Sequence, residues 1–512
     1  MQFSNMTRNS PELSARAREI ALELTSWPSV TGTPEEAMFS ERLITYLKAS
    51  GFEKVWKEPI PDDALGRSSV FALKDSRGND WWRTIVLTGH FDTVPFGDYG
   101  DLTPLALYPV MLREAMIAKL EHTGESELAL VDLKSGEFLP GRGLLDMKSG
   151  LAAGIAAMEA YRGELSLLFV ATPDEEDRSA GMRAAAPMIA KIAKARGLHV
   201  ELVINLDAIS DQGDGSAGRV AALGSIGKQL LTAFVVGKEA HACYPQDGAN
   251  SAYIAAELVT EFELAPELAE TSGSEYAAAP TALHSKDLKA GYNVTTPAQA
   301  FVYWNTLQHK RSAADVLGIS ISLAERAMAR ASKKTGWSIP VLTYEGLKQR
   351  VPQDKRIEKA DELALRTDLD LPERTKLLMQ YVWQLSGLSG PAVVIGFGSI
   401  PYPAVSLRDE KLAGAISEVV KAHGLGTVSY FPGISDMSFV GETIGNVTAA
   451  AESTPIWGTS FTLAESAGYP CVNIGPWGRD YHHWLERLHA PYAFETLPKV
   501  LLAVIDAVFK RG

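Results

Sequence analysis

Cysteine is nearly missing from this chain: two residues, Cys243 and Cys471, in 512. That excludes a disulfide framework and points to a reducing compartment. Both thiols are expected to behave as small buried hydrophobes. No apolar run approaches the length that spans a bilayer, and the opening MQFSNMTRNSPEL has no apolar stretch of a secretory signal. The chain is therefore read as cytoplasmic and membrane-free. Basic residues are in short supply too. Lys and Arg number 49 against 62 Asp and Glu, a formal charge of −13. Phosphate backbones and anionic lipids need a basic face, so neither is the expected partner. Internal repeats, low-complexity tracts and Pro-rich linkers are likewise not seen. What remains is an ordinary globular composition, 46% hydrophobic and 22% charged, with length enough for two domains.

The most informative stretch is Leu165-Ser-Leu-Leu-Phe-Val-Ala-Thr-Pro-Asp-Glu-Glu-Asp-Arg-Ser-Ala-Gly181. It starts as a short apolar run suited to a buried parallel strand and ends in four successive acids. Ligands of open α/β sheets bind beyond the carboxyl ends of strands. Glu175 and Glu176 are neighbours, so their side chains can face opposite sides, one holding a metal while the other handles protons. The same grammar recurs. Thr84–Gly89 delivers His90 and Asp92, Val200–Leu206 delivers Asp207, and Tyr469–Gly475 leads to His482 and His483. A glycine-flanked acid, Asp146 in Gly-Arg-Gly-Leu-Leu-Asp-Met-Lys-Ser-Gly150, precedes an alanine-rich helix and suggests close backbone approach there. A phosphate loop is rejected at this point, because the spacing is wrong and the acid would repel phosphate.

The fold expected is α/β, a mostly parallel sheet flanked by helices. Between Gly218 and Val351 a strand-helix-strand-strand-helix-strand order suggests an inserted ferredoxin-like domain. The expected division is 1–217, 218–351 and 352–512, with the large domain resuming at Pro391. Phe96–Pro140 is longer than a normal connection and is read as covering or shaping a site, with a helix over Thr103–Leu120 and a hairpin in Thr123–Pro140.

Asp, Glu and His suit zinc or cobalt. Three carboxylates and two imidazoles exceed one tetrahedral site with an open position. They suit two ions about 3.5–4 Å apart that share a bridging carboxylate and activate water. The strings GHFDTVP, GRGLLDMKSG, PDEEDRSAG, NLD, KEAHACYPQDGANS and GPWGRDYHHWLE, in that order, resemble the two-zinc aminoacylase/carboxypeptidase/succinyl-diaminopimelate desuccinylase metallopeptidases, metallopeptidase family twenty. Within the group the chain looks most like the arginine-utilisation subgroup. The resemblance implies an amide hydrolase, deacylating an N-acyl amino acid or cutting a small peptide. It implies a zinc-exopeptidase-like fold whose inserted domain is both lid and homodimer surface. It implies Asp146 as the bridge, His90 and Asp207 at one metal, and Glu176 and His482 at the other. Glu175 would be the general base, Asp92 would orient His90, and the bond Asp146–Met147 would be cis. His241 would stabilise the oxyanion in a partner's site, and Asn293 would touch substrate. His482 is preferred over His483 and His489 because Glu486 follows it by four residues. Asp436 is given a supporting role.

The lid strand Phe301-Val-Tyr-Trp-Asn-Thr-Leu departs from the group in having no arginine to clamp a substrate carboxylate, which weighs against carboxypeptidase action. A metal-binding but catalytically idle regulatory or scaffold protein is the rival reading. The intact Glu175 counts against it.

Overall fold

A computed structural model describes residues 10–76, 78–272, 275–352, 358–445, 448–461, 463 and 468–511. The chain divides into two units. The first comprises Met1–Ser225, Val405–Glu442 and Ser466–Gly512; the second comprises Ile226–Ala404 and Thr443–Glu465.

The first unit is built on an eight-stranded sheet. Its order is Lys54–Pro59, Ser68–Lys74, Ser166–Thr172, Arg83–His90, His199–Asn205, Cys471–Asn473, Val220–Ala222, Gly426–Val428. The four central strands, Ser166–Thr172 to Cys471–Asn473, are mutually parallel. Their uniform apolar runs are those of strands covered on both faces. The helices Ser10–Ser26, Ser149–Ala160 and Leu497–Arg511 pack together beneath this sheet. Ser149–Ala160 is almost wholly buried, and small residues let it lie close. A Cβ at Gly150 would stand 2.1 Å from the Leu206 carbonyl oxygen, so only glycine allows the helix start to press against the strand end bearing Asp207.

A second, four-stranded sheet in this unit runs Phe138–Pro140, Arg487–His489, Trp477–Arg479, Ile209–Ser210. It ties together the segment before Asp146, the hairpin bearing His482 and the strand after Asp207. The expected hairpin in Thr123–Pro140 is instead the helix Glu127–Ser135 followed by the short strand Phe138–Pro140. The reason is local. Ser126 accepts a hydrogen bond from the Ala129 N–H at 3.2 Å, and Gly136 ends the helix at φ 83°, two capping signals that outweigh the strand-like alternation between them.

The second unit holds a five-stranded sheet: Thr281–Asp287, Gln299–Gln308, Gly227–Val236, Ala392–Phe397, Val341–Thr343. This is the expected ferredoxin-like order with one strand added. Ala392–Phe397 pairs antiparallel with Gly227–Val236 and parallel with Val341–Thr343. Resumption of the large domain at Pro391, and with it a boundary at Val351, is corrected accordingly. A six-residue apolar run suits the centre of either sheet, so its pattern cannot assign it. Helix Leu371–Ser386 also joins this unit, packing Met379, Val382 and Trp383 against Phe234 and Phe301. Cys243 is exposed while Cys471 is buried, so only the second behaves as the expected small hydrophobe. Among the described residues no helix is long and apolar enough to cross a membrane.

Candidate metal centre

His90 is the last residue of its strand, and its imidazole is buried. Its Nδ1 lies 3.1 Å from the Asp92 backbone oxygen. That contact fixes the ring and turns Nε2 inward. Nε2 stands 3.2 Å from Asp146 Oδ1, 3.6 Å from Asp207 Oδ1 and 4.0 Å from Glu175 Oε2. The other oxygen of Asp146, Oδ2, lies 3.2 Å from His482 Nε2, which is also 3.1 Å from Glu176. The peptide bond Asp146–Met147 is cis.

Asp92 does more than face the imidazole. Its Oδ1 accepts the Glu175 N–H at 3.1 Å, and its Oδ2 accepts the Glu176 N–H at 3.2 Å and the Thr31 hydroxyl at 2.8 Å. One buried carboxylate thus holds the backbone from which both glutamates project, Glu175 toward His90 and Glu176 toward His482. Asp174 makes the turn before them at φ 69° and accepts the Ala180 N–H at 3.0 Å. Asp207 is braced from the adjoining strand: Asn473 Oδ1 accepts the Asp207 N–H at 3.1 Å, and Asn473 Nδ2 donates to the Asp207 carbonyl at 2.9 Å.

All six expected groups of the centre therefore meet: His90, Asp146, Glu175, Glu176, Asp207 and His482. His483 and His489 do not join them. His483 Nδ1 accepts the Leu485 N–H, and His489 packs on Phe138 and Trp477. Asp436 is buried and accepts the Thr172 hydroxyl at 2.9 Å. His241 and Asn293 belong to the second unit, where both are exposed. His241 Nδ1 accepts the Cys243 N–H, and Asn293 Oδ1 accepts the Thr295 N–H. Trp304, in the strand Gln299–Gln308 that carries no arginine, is fully buried and stacks on Phe262, a core role.

The electrostatics are those of a site built for cations. Burial pushes Glu175 well above the usual carboxylate range, and Asp207, Asp436 and Glu176 push it further, with His90 opposing. Glu176 and Asp207 are raised by burial in the same way. Burial works against charge on Asp146 as well, but hydrogen bonds to His482 and His90 hold its carboxyl low. His482 is pushed up to about 10, burial opposing and Asp146 and Glu176 prevailing. Four carboxylates crowded into one buried space repel each other unless a positive charge sits between them. One nitrogen of His90 and one oxygen each of Asp146 and Glu176 all lie within 4.8 Å of one another, a spacing that an ion can bridge. The donor set fits zinc or cobalt.

Sequence reasoning missed the arginines behind this centre. Arg142 is buried and donates to Glu486 Oε2 at 2.8 Å and to Asp98 at 3.0 Å, while Glu486 Oε1 accepts the Gly143 N–H. The Gly-Arg-Gly spelling and the Glu four residues after His482 were the available signals. The Asp132–Arg487 pair had none, since 355 positions separate its members.

The description "Peptidase family M20/M25/M40" matches residues 86–451. The protein YqjN of Bacillus subtilis is 31% identical over 531 residues, covering 96% of this chain and 95% of YqjN. Protein RocB of the same organism is 27% identical over 553 residues, covering 98% and 96%. The full-length match to RocB bears out the resemblance to the arginine-utilisation subgroup. The crystal structure of Bacillus subtilis YxeP, described as a dinuclear metal-binding peptidase, superimposes with a TM-score of 0.52 at 13% identity, covering 97% of this chain and 99% of YxeP.

Proposed function

The chain belongs to peptidase family M20/M25/M40, a family of hydrolases, and from that premise we propose that it cleaves the amide bond of an N-acyl amino acid or short peptide. In this reading Asp146 would be shared by two zinc or cobalt ions, His90 and Asp207 would help hold one, and Glu176 and His482 would help hold the other. The observation that carries it is the division of Asp146, one oxygen toward each imidazole at 3.2 Å.

Bound there, the ions supply polarisation of the scissile carbonyl and a lowered pKa for water. The remaining work falls to the chain's own groups. Glu175 takes the proton of the attacking water as the carbon–oxygen bond forms, and returns it to the amine nitrogen as the carbon–nitrogen bond breaks. One proton enters and one leaves, so the base is restored each cycle. Burial raises its pKa, the direction expected of a group that must both accept and release a proton. Asp92 keeps Glu175 and Glu176 on their opposite faces.

Homodimerisation through the second unit belongs to the same proposal. The strand Thr281–Asp287 lies at the edge of its sheet with one neighbour, an edge that a second copy can cover. His241 of the partner subunit would then donate to the developing oxyanion.

The test is a screen of N-acyl amino acids and dipeptides with zinc or cobalt supplied, wild type beside Glu175→Gln. Turnover should require the metal and fall roughly 10²–10⁴-fold in the variant, with metal content unchanged. Equal rates in both proteins would remove Glu175 from the mechanism.

A further inference from the structure

The long segment between Phe96 and Pro140 has a place in the fold that neither a pocket wall nor a cover explains. His482 stands in the turn, residues 480–486, that joins strand Trp477–Arg479 to strand Arg487–His489. That turn holds two non-glycine residues in the left-handed region, Asp480 at φ 53° and His482 at φ 65°. Such conformations persist only where the surroundings over-determine them.

At the base of the turn, Arg479 and Arg487 are direct cross-strand partners, and both are buried. Two like charges opposite one another in a sheet repel, and buried ones without a counter-charge are strongly destabilising. The counter-charge comes from the long segment. Asp132 of helix Glu127–Ser135 accepts the Arg487 Nε–H at 2.8 Å, and its Oδ2 lies 2.7 Å from Arg487 Nη2 and 3.2 Å from Arg479 Nε. Phe138, from the strand that pairs with Arg487–His489, lies under both guanidiniums at 5.7 and 5.9 Å. The free arm of Arg487, Nη1, donates to Asp480 Oδ2 and to the Leu485 carbonyl, gripping the turn two residues from His482.

We propose that this segment is a buttress for the metal centre: Asp132, acting through Arg487 and Asp480, positions His482 and so sets how tightly the second ion is held. The inference rests on the two-metal reading above. Asp132 is a positioning residue, since it touches neither substrate nor any of the six groups of the centre. Outer-sphere partners of metal ligands are worth about 10- to 100-fold in metal affinity.

The experiment uses the full-length protein, stripped and then titrated with cobalt under competition by a chelator. Wild type, Asp132→Asn, Asp480→Asn and His482→Ala are compared. Asparagine tolerates the left-handed backbone at position 480, so Asp480→Asn removes the charge and leaves the turn. Both asparagine variants should keep one ion at wild-type affinity and bind the other roughly 10- to 100-fold more weakly. They should lose cobalt absorbance in the direction of His482→Ala, with kcat falling and KM held. A role in folding alone would lower the melting temperature and leave these affinities unmoved. Two ions bound at wild-type affinity in both variants would overturn the inference. If Asp132→Asn does not fold, Asp480→Asn decides by itself. If wild type binds fewer than two ions, the two-metal reading fails and takes this inference with it, a result distinct from loss of the buttress alone.

Discussion

Replacing Asp92 by asparagine changes one oxygen to NH2 and leaves the volume the same, yet the geometry leaves the new amide no good orientation. The carboxylate accepts on both oxygens: Glu175 N–H on one, Glu176 N–H and the Thr31 hydroxyl on the other. An amide offers one oxygen. Aimed at Glu176 and Thr31, it points its NH2 at the Glu175 N–H, donor against donor; flipped, it does the same to Glu176. One buried backbone N–H is left unsatisfied either way, about 1–3 kcal/mol. The surviving bonds lose their charge-assisted character, which adds about 1 kcal/mol. The total of about 2–4 kcal/mol falls on the backbone that aims both glutamates. Expressed in the transition state, it is a loss of roughly 30- to 1,000-fold in kcat. The assay is steady-state turnover of the best substrate from the screen, together with metal content by elemental analysis. Asp92→Asn with kcat within threefold of wild type and full metal content would refute the reasoning.

Two further outcomes are expected. Protein stripped of metal should lose stability as pH climbs from about 5 to 10. Glu175, Glu176 and Asp207 have folded-state values raised chiefly by burial, so the folded form holds protons that the unfolded chain has released. His482, raised to about 10, contributes stability present below the ordinary histidine value and lost as pH rises through its own. Melting temperatures across that range, with and without zinc, check this. The metal-loaded protein should show a flatter profile, and an apoprotein that gains stability with pH would contradict it. If His241 serves the partner's site, inactive Glu175→Gln and inactive His241→Ala proteins should regain activity when mixed and allowed to exchange subunits. Silence in the mixture would exclude action across a dimer.

Much of the centre was legible in the sequence because four of its groups sit at strand ends announced by apolar runs. His90, Glu175, Glu176 and Asp207 all follow that rule. Asp146 was marked by its glycines, and Gly150 has its close approach to Leu206. His482 was distinguishable from His483 only through Glu486, whose buried pairing with Arg142 gives that spacing a physical basis. What stayed hidden depends on distant pairing. Ala392–Phe397 has the same apolar spelling whichever sheet it enters, and its neighbours are chosen by tertiary packing. Asp132 reads as one more polar residue in a segment of turns and a hairpin until Arg479 and Arg487 are brought over it. The helix Glu127–Ser135 was misread because alternation over a few residues fits a strand as well as a helix, and the caps at Ser126 and Gly136 decide between them.

That two cations share the carboxylate of Asp146 is the proposal on which the rest depends. Its most direct test is elemental analysis of wild type and Asp146→Ala after equilibration with buffered zinc and removal of loosely held metal. Two ions per chain in wild type and fewer than one in the variant is the predicted result. Asp146→Ala retaining both ions, or wild type holding only one, would contradict it.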